Sequence, residues 1–120
     1  MKRITFTKAC KVDPKYPKRL ARPNYLGYLF THPTHPGREF VVARCSKTTN
    51  AAGTTYRTTA YWALHDRKTG LGINTKDNAK TMTARAESAL AWLSVITPEA
   101  LAAHIEKCQV RRFRAIITKL

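Results

Sequence analysis

The sequence predicts an α+β domain: a three- to four-stranded antiparallel sheet, order β-β-β-α-α, with two C-terminal helices packed on one face. Three observations predict it. The first two-thirds of the chain holds runs rich in aromatic and β-branched residues, separated by Gly, Pro and Asn clusters. The last third switches to apolar residues at steps of three and four. The connections between the strand-like runs are too short for helical crossovers, so the strands form an antiparallel meander.

The first strand is expected from Tyr25 to Thr31, ended by the breaker-dense turn His32-Pro33-Thr34-His35-Pro36-Gly37. The second, from Glu39 to Cys45, is a short apolar run that suits a central strand. Thr48 to Gly53 reads as a turn, and Thr55 to His65 as the third strand. Ile4 and Phe6, alternating with Thr5, suggest a further leading strand. After Gly70 and Gly72, a helix is expected from Asn78 to Val95, capped by Thr75 or Asp77. Ala79, Met82, Ala86, Leu90 and Leu93 form its apolar stripe, with Trp92 beside it. Thr97-Pro98-Glu99 opens a second helix with a capping Thr, a first-position Pro and an acid in the first turn. Leu101, Ile105 and Cys108 share one side of it. Beyond Val110 the apolar phase shifts, and the run of Arg and Ala favours continued helix over a last strand.

Twenty-two Lys and Arg face seven Asp and Glu, a formal net charge of +15. A small domain needs only about 2–8 net charges for solubility, so the excess points to a polyanionic partner. At 43% apolar residues the chain is not a disordered basic tail. The charge is uneven. Residues 1–23 hold eight cations and one acid, residues 24–76 seven and two, and residues 77–120 seven and four. Lys8, Lys11, Lys15, Lys18, Arg19 and Arg22 are punctuated by Pro14, Pro17 and Pro23. Proline fixes φ and removes a donor, so residues 1–23 are expected as an extended basic arm before a single domain of residues 24–120. Such an arm can follow a phosphate backbone; a solvated loop would carry the same composition. Arg111, Arg112 and Arg114 cluster near the C-terminus, where they suit a helix dipole or phosphate geometry.

Alternation in the third strand sends Tyr56, Thr58, Ala60, Trp62 and Leu64 toward the helices. Arg57, Tyr61 and His65 then face outward, and Arg44 falls near the end of the second strand. Aromatics interleaved with bases can combine stacking with phosphate neutralisation. The order of three strands followed by a helix is similar to that of the arm-type DNA-binding domains of tyrosine recombinases, a likeness of element order with no shared motif.

Chemistry beyond binding finds little support. His32-x-x-His35 has ligand-like spacing, and Cys45 and His65 could complete a tetrahedral zinc set. No Cys-x-x-Cys accompanies it, and both histidines precede prolines, so they are expected as exposed turn residues without metal. His65-Asp66 beside Arg67-Lys68 is the best phosphodiester candidate, but neighbours on a strand face opposite ways. His104 and Cys108 share a helix face whose stripe suits a core cysteine. Gly70-Leu71-Gly72 lacks the third glycine and the Lys-Ser/Thr ending of a phosphate cradle. No run approaches the ~20 apolar residues of a membrane helix, and no apolar stretch follows the basic start. Three distant cysteines, Cys10, Cys45 and Cys108, suit free thiols in a reducing cytoplasm.

The expected protein is therefore small, basic, non-enzymatic and cofactor-free, and binds DNA or RNA in the cytoplasm. Its expected contacts are Lys8, Lys11, Lys15, Lys18, Arg19, Arg22, Arg44, Arg57, Tyr61, Arg111, Arg112 and Arg114. The alternative is an inhibitor of the kind phages and mobile elements encode, anti-CRISPR-like or transcription-inhibitor-like, bound to a host protein or nucleoprotein machine. No membrane partner is expected.

Overall fold

A computed structural model describes the backbone of residues 1–9, 21–51 and 55–117, and the side chains of residues 1–6, 25–45 and 60–108. Five strands pair in chain order: β1 (Lys2–Ala9), β2 (Ala21–Thr31), β3 (Glu39–Ala51), β4 (Thr55–Asp66) and β5 (Gly72–Ile73). Every ladder is antiparallel. A 3-10 turn at Thr75–Asp77 leads to α1 (Met82–Val95) and α2 (Pro98–Ile117). The α+β class and the two C-terminal helices are as expected, with five strands in place of three to four. β5 has two residues, too few to carry a period-two signal. The ends of the basic 1–23 segment belong to the sheet, as β1 and the start of β2.

β3 is buried on both faces because its sequence is apolar at consecutive positions. Phe40 and Val42 join the core beneath the helices, while Val41 and Ala43 lie on the other face. All four are fully buried. On the helix side Phe30, Phe40, Val42, Leu64 and Ile73 meet Ala89 and Leu93 of α1 and Leu101 and Ile105 of α2. Burying one such Leu or Phe contributes about 1.5–3 kcal/mol, so this layer is the main source of stability. The opposite face holds a smaller cluster of Phe6, Val41 and Ala43, with Ile4, Tyr25 and Leu29 against it.

α1 starts four residues later than expected. Ala79 is engaged in a bridge to β4: Trp62 N–H donates to its carbonyl at 2.7 Å, and its own N–H donates to Trp62 at 3.2 Å. The helix is capped instead by Thr81, whose Oγ1 accepts the Ala84 N–H at 3.2 Å. Its stripe is also rotated. Ala86 and Leu93 are buried as expected, but Ala89 takes the place of Leu90, which is 40% exposed. The start of α2 is as expected, with Thr97 Oγ1 accepting the Ala100 N–H at 3.2 Å, and residues 110–117 continue as helix.

Three polar residues hold α1 to its surroundings. Arg85 is fully buried; its Nη1 donates to Ser88 Oγ at 2.7 Å and its Nη2 to the Asn74 carbonyl at 3.0 Å. Burial lowers its pKa from the ordinary guanidinium value, and the charge of Asp77 acts in the other direction. At the other end His35 Nε2 donates to the Leu93 carbonyl at 2.9 Å. His32 Nδ1 accepts the Thr34 N–H at 3.2 Å, which leaves the ring proton on Nε2, 3.3 Å from Ser94 Oγ. The two histidines, expected exposed, are buried because they satisfy groups in the last turn of α1, where helical carbonyls lack intrahelical partners.

Gly27 sets how closely β2 approaches the opposite-face cluster. A Cβ there would stand 2.6 Å from Val41 Cγ1 and 3.4 Å from Phe6 Cβ, and both neighbours are buried. Gly27→Ala is expected to lower stability by about 1–3 kcal/mol through overpacking. Urea unfolding measures it; an unchanged midpoint would show that the sheet opens there without strain.

Candidate nucleic-acid interface

The β2–β3 ladder runs from Thr31 opposite Glu39 to Gly27 opposite Ala43, and ends there. The flanking ladders continue. β1 and β2 pair out to Ala9 opposite Ala21, and β3 and β4 pair out to Ala51 opposite Thr55. One half of the molecule is thus a full sheet, and the other half is two separate two-stranded ribbons. Pro23, four positions beyond the last pair, keeps the ladder from resuming. Extending the β2–β3 register would set Pro23 between two strands, where its missing N–H breaks the ladder. The β1–β2 register slips between Phe6 and Lys8, so that Pro23 and Asn24 together lie opposite Thr7 as a bulge.

The ribbon ends are strongly basic. From residue 40 to residue 65 the chain holds Arg44, Lys47 and Arg57 and no acid. In the ladder Lys47 lies opposite Thr59, and Arg57 opposite Thr49. The first ribbon pairs Lys8 with Arg22. Lys11, Lys15, Lys18 and Arg19 lie outside the described residues, in the segment joining β1 to β2. Ser46 to Ala51 is strand, although Thr48 to Gly53 reads as turn material. β-Branched threonines suit a strand, although this polar run carries no apolar alternation to declare it.

Where the ribbons part, the helix-side face carries a mixed patch. Arg44 is exposed, lies in mid-β3 and not near the strand's end, and faces Trp62 across the ladder. The Trp62 and Tyr28 rings are 6.0 Å apart at 44°, and exposed Arg3 lies opposite Tyr28. Neither Arg3 nor Arg44 makes an ion pair with a described residue. An open recess of ≈ 370 Å³ lined by Arg3, Ile4, Thr5, Tyr25 and Leu26 lies along β1. Arg3 and Tyr28 were missed because only the cross-strand register brings them beside Arg44 and Trp62.

The expected sheet-face set does not assemble as one site. Tyr61 lies opposite Cys45, on the face away from Trp62, so it and Arg44 are on opposite sides of the sheet. His65, expected to face outward, is fully buried with its ring 5.0 Å from Phe6. Its face carries the second apolar cluster, which alternation in β4 alone does not reveal. Arg57 is in β4, Lys8 in β1 and Arg22 in β2. Arg111, Arg112 and Arg114 lie in the C-terminal part of α2.

At the opposite end of β3 and β4 both acids are paired, with Lys68 beside them as a further cation. Arg67 pairs with Glu39 at 3.1 Å and Arg38 with Asp66 at 3.5 Å, around a recess of ≈ 480 Å³. The buried Asp66 carboxylate also accepts the Thr69 N–H at 3.1 Å and its hydroxyl at 2.7 Å. These bonds fix the turn after β4 and separate Asp66 from His65. His104 packs edge-on against Trp92, 5.9 Å between rings, and Cys108 is half-buried. Among the described residues no group of three or more His, Cys, Asp or Glu could hold a metal ion. Among them too, no single helix is long and apolar enough to cross a membrane.

No family model, no curated protein and no solved structure matches the chain.

His32 and His35 are engaged with α1, apart from Cys45 and His65. Equimolar zinc chloride is therefore expected to leave the thermal midpoint unchanged, and a clear rise would show that the His-Pro turn rearranges around the ion. Arg44→Ala is expected to change stability by no more than about 0.5 kcal/mol, because the side chain is exposed and makes no ion pair with a described residue. A larger loss in urea unfolding would give Arg44 a structural role.

Proposed function

We propose that the protein binds nucleic acid, without catalysis and without a cofactor, through the ribbon end of its sheet. One observation carries the reading. Where the strands part, Arg3 and Arg44 make no ion pair with a described residue and the ribbon sequences beyond add Lys8, Arg22, Lys47 and Arg57, while both acids at the other end, Glu39 and Asp66, are neutralised by Arg67 and Arg38. In this reading Lys8, Arg22, Arg44, Lys47 and Arg57 neutralise phosphates. Lys11, Lys15, Lys18 and Arg19, in the sequence between β1 and β2, add further phosphate-neutralising charge in the same reading. Tyr28 and Trp62 provide apolar contact at the ribbon root, and Arg111, Arg112 and Arg114 add long-range attraction. A cytoplasmic location, where nucleic acid is accessible, belongs to the same proposal.

Neutralising phosphates releases condensed counterions, so affinity must fall steeply with salt. Six or more phosphate contacts correspond to a loss of about 10³-fold or greater between about 50 and 200 mM salt. Fluorescence anisotropy with labelled oligonucleotides measures this. Affinity indifferent to salt would overturn the proposal. So would a protein partner retained from lysate after complete nuclease digestion when no oligonucleotide binds, which is the outcome expected of a host-directed inhibitor.

A further inference from the structure

We infer that the β3–β4 ribbon enters the major groove of duplex DNA, an inference that rests on the nucleic-acid reading above. From Arg44 opposite Trp62 to Ala51 opposite Thr55, the ribbon pairs with no other described strand. Its two strands are about 4.8 Å apart, and sheet-like side-chain layers span about 10 Å. The B-form major groove, about 12 Å wide and about 8.5 Å deep, admits a two-stranded ribbon. The minor groove, about 6 Å wide, does not admit it without distortion. A-form RNA has a major groove too deep and narrow to be read by side chains, which separates DNA from RNA on geometry.

Length and composition agree with that placement. Eight residues of β3 from Arg44 to Ala51 span about 27 Å, several times the groove depth, so the ribbon can lie along the groove. Thr48, Thr49, Asn50, Thr55, Thr58 and Thr59 supply groups that both donate and accept hydrogen bonds, as mixed base edges require. Lys47 and Arg57 sit at neighbouring ladder positions, within reach of the phosphates at the groove rim. No acid lies on the ribbon to repel them. Beyond Gly27 the β1–β2 ribbon does not pair with β3.

Anisotropy with the intact chain tests the inference on three probes: a mixed-sequence DNA duplex, the RNA duplex of the same sequence, and the DNA single strand. The DNA duplex is expected to bind tightest. Methyl green, a major-groove ligand, is expected to displace the protein, and netropsin, a minor-groove ligand, to leave it bound. In Lys47→Ala/Arg57→Ala the slope of log affinity against log salt is expected to fall by about 2, with the thermal midpoint unchanged. RNA or single strand bound as tightly, displacement by netropsin, or an unchanged slope would overturn the ribbon assignment and leave nucleic-acid binding standing. If the variant misfolds, the competition with the unaltered chain still decides. Failure to bind all three probes would overturn both.

Discussion

The end of the β2–β3 ladder at Gly27 and Ala43 is the constraint on which the rest of the structure depends. Toward one side of it, β3 reads Phe40-Val41-Val42-Ala43 and can be covered on both faces. The next residue is Arg44, and covering its charge with the helix layer would cost several kcal/mol without a partner. On the neighbouring strand Pro23 withholds the N–H that a central position needs. The doubly covered part of β3 thus ends with the ladder, and Pro23 bars its resumption further out. The helix layer and both ion pairs lie on one side of that line, and the two ribbons on the other.

The helix layer needs directional contacts because α1 has a narrow apolar face. Ala86, Ala89 and Leu93 are its buried apolar residues, and two of those three are alanines. Position is fixed by hydrogen bonds at three places: Arg85 to Asn74, Ala79 to Trp62, and the two histidines to the last turn. A neutral bond of this kind contributes about 1 kcal/mol, and one to a charged group about 1.5–3 kcal/mol. Arg85 also bears the desolvation that lowers its pKa, which makes it a structural cation and removes it from the pool available to a polyanion. The bridge at Ala79 matters for the candidate interface as well. It pins Trp62 at the root of the β3–β4 ribbon and so holds the ribbon relative to the core.

What could be read from sequence follows what was buried. Tyr25 to Thr31, Glu39 to Cys45 and Thr55 to His65 stand within β2, β3 and β4 because their apolar alternation reports a core. Leu64 and Trp62 face the helices for the same reason. The polar half of β3 was not legible as strand, since Ser46 to Ala51 carry no apolar alternation for periodicity to report. His65 was misplaced because one strand's alternation cannot say that Phe6, far earlier in the chain on β1, closes over the far face. His32 and His35 looked like surface turn residues because their partners, the Leu93 carbonyl and Ser94, lie about sixty positions away. Of the candidate site, the charge was legible residue by residue; the grouping of Arg44 with Trp62, Tyr28 and Arg3 depends on register.

The composition of the β1–β2 ribbon adds an electrostatic condition. If the β2–β3 register continued outward, Pro23 would lie opposite Lys47 and Arg22 opposite Thr48, and Pro23 has no N–H to give to such a ladder. Lys8 and Arg22 lie directly opposite each other in the β1–β2 ladder, and like charges so placed weaken a ladder. A polyanion neutralising that pair would relieve the repulsion without restoring the β2–β3 ladder. The division of the sheet is therefore compatible with a folded free protein, held at one end by its core and at the other by the absence of any favourable pairing.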